Sequence, residues 1–269
     1  MRRPDYDRYS EHLAVENDGG ILTLMLNNPE KMNANTEPMH WALSRIWDDI
    51  DADPEVLVVI FTGAGDRAFS AGGDPKHMQE VIGDVGHWLK ISGEAKRIVY
   101  GMLACNKPVI ARLNGHAVGF GATLALASDL IVGVKGARFG DPHCNIGLVC
   151  GDGGALLWPQ QIGYARAREF LFTGRLVKME EAAEIGLINY AVPRAQLDEK
   201  VLGLAKEIAG SAARAIQLTK SVLNLPLRQA ALASMDLGMA NEMLSSQSED
   251  HREAVTAMIE KREPSFTGR

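Results

Sequence analysis

Two glycine-rich turns stand where main-chain N–H groups could hold a negative charge. The first is Ala68-Phe69-Ser70-Ala71-Gly72-Gly73-Asp74-Pro75-Lys76. Adjacent glycines adopt backbone angles closed to other residues and let a bound molecule approach the main chain. The second is Leu113-Asn114-Gly115-His116-Ala117-Val118-Gly119-Phe120-Gly121-Ala122-Thr123, which follows an apolar run and enters a helical one. Free N–H groups at a helix start point outward, and the helix dipole there favours negative charge. Two such donors converging on one point would hold a developing oxyanion. Neither turn has the Gly-Lys-Ser/Thr of a phosphate-binding loop or the full dinucleotide fingerprint. Taken singly, each also reads as an ordinary turn.

A third stretch, Asp141-Pro142-His143-Cys144-Asn145-Ile146-Gly147-Leu148-Val149-Cys150-Gly151-Asp152-Gly153-Gly154, sets a histidine among acids. Imidazole titrates near about 6.5, which suits it to taking a proton from water at neutral pH. An aspartate bonded to its other ring nitrogen would fix the tautomer and stabilise the imidazolium. Asp152 stands beyond a glycine-rich turn that can fold it back onto His143, though it could instead cap a helix. Asp141 reads as a residue that orders its turn, or as a substitute partner for His143. Cys144 and Cys150 beside His143 fit no common zinc spacing, so no metal is expected. His12, His77, His87, His116 and His251 are read as structural or solvated.

These residues need a scaffold, and 269 residues with 46% hydrophobic and 23% charged side chains can build one large core with an appendage. The net charge of −6 offers no footprint for nucleic acid. Arg2 and Arg3 are followed by Asp5 and Asp7 rather than an apolar run, so no signal peptide is expected. No run is long and apolar enough for a membrane span, and a soluble cytoplasmic protein is the default.

Strand patterns at His12 to Glu16 and Ile21 to Leu26 flank an Asp-Gly-Gly turn, a hairpin signal. Thr36 is placed to cap a helix reaching about Ile50, with Pro38 in its first turn. Apolar strands follow at Val56 to Thr62, Pro108 to Leu113 and Leu130 to Val134, separated by helical stretches at Trp88 to Leu103 and Phe120 to Ser128. Strands alternating with helices indicate an α/β core. From about Asp198 the pattern is helical, interrupted by Pro226, so the chain divides into 1–197 and 198–269. Pro264 to Arg269 reads as a frayed tail.

The segments Ala68 to Asp74, Asn114 to Gly121 and Ser128-Asp129-Leu130-Ile131 resemble the crotonase superfamily, the enoyl-CoA hydratase/isomerase family. Leu26-Asn27-Asn28-Pro29, Asn33-Ala34, Ala137-Arg138-Phe139-Gly140 and Glu181 to Asn189 fit the same order, so the resemblance covers roughly residues 11–260. It implies a spiral of ββα units with a helical C-terminal trimerisation region, as a homotrimer or a dimer of trimers. It implies a thioester substrate whose carbonyl lies between the N–H groups of Gly73 and Phe120, the latter commonly glycine in the family. Coenzyme A, as part of the substrate and not a permanent cofactor, maps onto Lys31, Ala71, Asp74 and Pro75.

Hydration across a conjugated double bond typically uses two glutamates in this family, and the matching positions here are Thr123 and His143. A threonine hydroxyl does not titrate near neutral pH. The stretch from Asp141 is similar instead to 6-oxocamphor hydrolase, a crotonase relative that cleaves a carbon–carbon bond in a β-diketone. By that similarity His143 and Asp152 are the acid/base pair, and Glu242 and His40 are additional candidates. The relative's histidine at the position of Phe120 is absent. The first expectation is an enzyme acting on an acyl-CoA through a stabilised enolate, with His143 and Asp152 replacing the glutamates. The second is a hydrolase of a β-diketone, free or CoA-linked. A non-catalytic RNA-binding or scaffold role ranks last, because Arg45 is the only Lys or Arg in the helix that Thr36 opens, among several acids.

Overall fold

The computed structural model describes residues 4–269, so Arg2 and Arg3 of the basic opening lie outside it. β1 (Leu13–Asp18) and β2 (Ile21–Leu26) form the expected antiparallel hairpin, with Gly19 and Gly20 at positive φ in its turn. Thr36 caps α1 (Glu37–Ala52) by accepting the Met39 N–H at 3.3 Å, as expected.

The chain then repeats a long strand, a short strand and a helix. β3 (Val58–Gly63) leads to β4 (Ala68–Ser70), α2 (Pro75–Val81) and α3 (Val85–Ala104). β5 (Val109–Leu113) leads to β6 (His116–Val118) and α4 (Phe120–Leu126). β7 (Leu130–Val134) leads to β8 (Arg138–Gly140), a 3-10 turn at His143–Ile146 and α5 (Gly154–Thr173). β9 (Val177–Lys178), α6 (Met179–Glu184) and β10 (Tyr190–Val192) close the two layers. The longer strands share a six-stranded sheet of order β1-β2-β3-β5-β7-β10, parallel from β2 onward. The short strands form a second sheet of order β4-β6-β8-β9. This is the expected spiral of ββα units. Every residue of β3 is buried, as an unbroken apolar strand covered on both faces should be. Trp47, Phe61 and Phe69 meet edge to face between helix and sheet, at centroid distances of 5.4 and 5.2 Å.

The short strands, of two or three residues, and the seven-residue α2 escape sequence reading because such lengths carry no usable period. The expected division at 197/198 falls inside α7 (Arg194–Ala209), whose Leu197, Val201 and Ala205 are buried against the sheet. Beyond it lie α8 (Ala213–Leu223), α9 (Leu225–Ser245), with Pro226 in its first turn, and α10 (Glu249–Glu260). The tail is tied down rather than frayed. The Asp250 carboxylate accepts the N–H groups of Thr267 and Gly268 at 2.6 and 2.8 Å, and Glu253 accepts that of Ser265 at 2.9 Å. Among the described residues no helix is long and apolar enough to cross a membrane.

One buried side chain fastens the loops on which the first glycine turn rests. Asn33 donates to the carbonyls of Ala64 and Ala68, both at 2.9 Å, and accepts the Asn28 N–H at 3.0 Å. Its own carbonyl accepts the Ser70 hydroxyl at 2.8 Å. Asn33→Leu removes the partner of the Ala64 carbonyl and the Asn28 N–H, while Asn114 still donates to the Ala68 carbonyl and the Ser70 hydroxyl keeps its main-chain acceptor. Stability should fall by about 1–3 kcal/mol, read by urea denaturation.

Candidate active site

β4 and β6 are neighbouring parallel strands, so the turns that follow them leave the sheet side by side. Gly72, at φ +81°, lies so close to the second turn that a Cβ there would stand 2.7 Å from the Val118 carbonyl oxygen and 3.5 Å from the Phe120 nitrogen. The Asn35 N–H pins this turn by donating to the Gly72 carbonyl at 2.7 Å. Gly119 has φ +58° and ψ −126°, a conformation open only to glycine, and from it α4 begins at Phe120. Among the described residues neither the Gly73 N–H nor the Phe120 N–H has a hydrogen-bond partner. Both residues wall a cavity of about 380 Å³. The expected pair of donors thus borders a single space.

On the same cavity stands His143, buried in its 3-10 turn. Its Nδ1 makes a short hydrogen bond with the Asp141 carboxylate, while its Nε2 lies 3.6 Å from Asp152 Oδ2. The tautomer-fixing partner is therefore Asp141, and Asp152 faces the other nitrogen beyond hydrogen-bond reach. Asp152 is oriented by the Thr123 hydroxyl, which donates to Oδ1 at 3.1 Å. Thr123 is fully buried and stands outside the cavity wall, so the residue at the expected glutamate position supports an acid instead of replacing one.

Glu242 joins them from α9. Gly151 and Gly238 permit this approach, since a Cβ on Gly151 would lie only 2.1 Å from the Gly238 carbonyl oxygen. Glu242 is buried in the cavity wall, and its Oε2 has no hydrogen-bond partner among the described residues. Burial works against a charged His143, but Asp141, Asp152 and Glu242 together outweigh it and raise the imidazole well above its usual range. Burial raises Asp152, against the pull of His143. Burial and then repulsion by Asp152 push Glu242 up to about 8. His143 is therefore a proton carrier at rest, and not the neutral base expected from its unperturbed titration.

Glu242 binds more protons folded than unfolded between its ordinary carboxylate range and about 8. Its contribution to stability is thus full below the unfolded pKa and is lost as the pH rises to about 8. Glu242→Gln should melt higher than the native chain at pH 8, with the advantage shrinking toward pH 5 in a series of thermal melts.

His40 also walls the cavity, with Nδ1 3.0 Å from Glu94 and its ring 5.4 Å from that of Phe120. Glu94 was missed, and Asp141, read first as a residue that orders its turn and second as a partner of His143, is the partner on Nδ1. Glu94 lies 54 residues from His40 and reads as one more polar position of α3. Ala71, Asp74 and Pro75 line the cavity; Lys31 does not, but its ammonium group holds Asp74 at 2.6 Å on the exposed side. His77, His87 and His251, expected to be structural or solvated, also face the cavity.

Comparison with known proteins agrees with this fold. The family model described as enoyl-CoA hydratase/isomerase matches residues 16–269. A short-chain-enoyl-CoA hydratase of Clostridium acetobutylicum is 31% identical, over 93% of this chain and 95% of its own. A 1,2-epoxyphenylacetyl-CoA isomerase of Escherichia coli is 32% identical, over 93% and 96%. The crystal structure of an enoyl-CoA hydratase/isomerase from Mycobacterium paratuberculosis superposes with a TM-score of 0.86 at 36% identity, covering 91% of this chain and 97% of that one. With the fold, the paired turns and these relatives in agreement, the chain belongs to the enoyl-CoA hydratase/isomerase family.

Proposed function

We propose that the protein transforms an acyl-CoA thioester through an enolate held by the N–H groups of Gly73 and Phe120, with His143 and Asp152 moving the proton in place of two glutamates. The observation that carries this reading is the buried His143, charged between Asp141 and Asp152 on the cavity that both free N–H groups border. The imidazolium, held by Asp141, gives its proton to the enolate or to a leaving oxygen. Asp152 is the base, oriented by Thr123, and Glu242 keeps its own proton at neutral pH. Coenzyme A is part of the substrate and lies over Ala71, Asp74 and Pro75, with Lys31 at the rim. Incubation with crotonyl-CoA, followed by mass, tests the reading. Gain of one water that disappears in His143→Ala supports it, and hydration that persists in that variant removes the pair from the mechanism.

Carbon–carbon cleavage of a β-dicarbonyl is the second reading, favoured by the hydrogen bond between His143 and Asp141. A carboxylate on Nδ1 holds the imidazolium, which gives its proton to the departing enolate while Asp152 takes the proton of the attacking water. Water would add to one carbonyl carbon, the bond to the neighbouring carbon would break, and the oxyanion donors would hold the departing enolate. Ring opening of a cyclic β-diketone, free or CoA-linked, with gain of one water selects this reading.

Assembly as a homotrimer or a dimer of trimers is proposed for the C-terminal helices. Leu218, Val222 and Leu223 on α8 and Leu232 on α9 are exposed, which suits contact between copies. Light scattering of the purified protein gives the subunit number.

A further inference from the structure

Glu37, His77 and His87 converge where α1, α2 and α3 meet at the cavity. Glu37 is the first residue of α1, His77 lies on α2, and His87 lies in the first turn of α3. Glu37 Oε1 is 3.0 Å from His87 Nδ1 and 3.6 Å from His77 Nε2. That His77 nitrogen is buried and has no hydrogen-bond partner among the described residues. One ligand atom from each residue lies within 4.8 Å of the others. We propose that these three side chains bind a divalent transition-metal ion of the zinc and cobalt class.

Such an ion sits about 2.0–2.2 Å from nitrogen and carboxylate ligands, which places the ligand atoms about 3–4 Å apart. Both carboxylate-to-imidazole separations already have that value, so a small rotation of the rings completes the set. Two nitrogens and one oxygen suit a borderline ion over calcium or magnesium, which prefer oxygen. The surroundings support the ligands from behind. Lys90 Nζ holds the other Glu37 oxygen at 2.7 Å, leaving Oε1 free to ligate. Glu80 lies 3.6 Å from His77 Nδ1, the ring nitrogen that does not ligate, and reaches hydrogen-bond distance only after a small movement of its exposed side chain. His77 and His87 both wall the cavity, so an ion here has coordination positions facing any bound molecule. Lys90 opposes binding by its charge.

Titration of the untagged, full-length protein with cobalt(II), followed by visible absorption, tests the site. The expected result is saturable uptake of one ion per chain, lost in Glu37→Gln and in His77→Asn, tighter in Lys90→Met and retained in His143→Gln. The two loss variants alter partly exposed side chains, and either suffices alone; far-ultraviolet circular dichroism checks that each is folded. Zinc should also raise the melting temperature of the native chain and not of those variants, since a ligand of the folded state stabilises it. No saturable uptake in the native chain overturns the proposal. So does uptake unchanged in both variants, or uptake lost in His143→Gln, which would move the ion to the Asp141, His143 and Asp152 cluster.

Discussion

His143→Gln is expected to reduce kcat by about 100- to 10,000-fold, the range over which a positioned acid or base contributes. Glutamine keeps the volume and a hydrogen-bonding end but carries no transferable proton. The loss should fall on kcat with KM little changed, because the ring faces the reacting end of the cavity and Lys31, Ala71, Asp74 and Pro75 are unaltered. A pH profile separates a proton-transfer role from a packing role. Asp141→Asn removes the first carboxylate that holds the imidazole charged, so its activity limb on the alkaline side should move to lower pH. If His143→Gln keeps a tenth or more of the native rate, proton transfer passes through another group, and Glu242 is the next to test.

Gly119→Ala should cost about 100- to 1,000-fold in kcat, the effect of losing one oxyanion donor. The residue has φ +58° and ψ −126°, so a Cβ strains the backbone by about 1–3 kcal/mol. Relief of that strain turns the peptide that carries the Phe120 N–H. The same Cβ would stand 3.9 Å from His143 Cε1, an ordinary contact, so crowding of the ring is not the cause. Gly136→Ala serves as the control, since it too has positive φ but does not line the cavity and its Cβ would meet nothing within 4 Å. A drop in kcat in Gly119→Ala with activity kept in Gly136→Ala assigns the effect to the donor. Equal losses in both would assign it to stability alone.

The longer strands, α1 and α3 were legible because their apolar residues repeat at the spacing of the element they form. Asp18-Gly19-Gly20 fixed the hairpin and Thr36 the start of α1 through local bonds that involve only near neighbours. The two glycine turns were legible for the same reason, since the conformation they need is a property of the residues themselves. What brings Gly72 beside Phe120 is the pairing of β4 with β6, strands of three residues each that no periodicity reveals. The acid/base cluster was half legible. His143 and Asp152 were named, but which aspartate takes which ring nitrogen depends on the turn at Pro142, and sequence spacing does not report that. Glu94, and the meeting of Glu37 with His87, follow from the packing of α1 against α3, which brings Glu37 to His77 as well, and leave no local mark.

The close passage of Gly238 over Gly151 has a temporal consequence. Asp141, His143 and Asp152 leave the ribosome together, but Glu242 follows only after α5 to α8 and most of α9 have been made. The proton-handling wall therefore stays open through most of synthesis and closes when α9 docks. A nascent or C-terminally clipped chain carries the residues of both N–H donors and lacks Glu242, which closes the cluster from α9. The buried cluster is therefore complete only once α9 has been made and has docked.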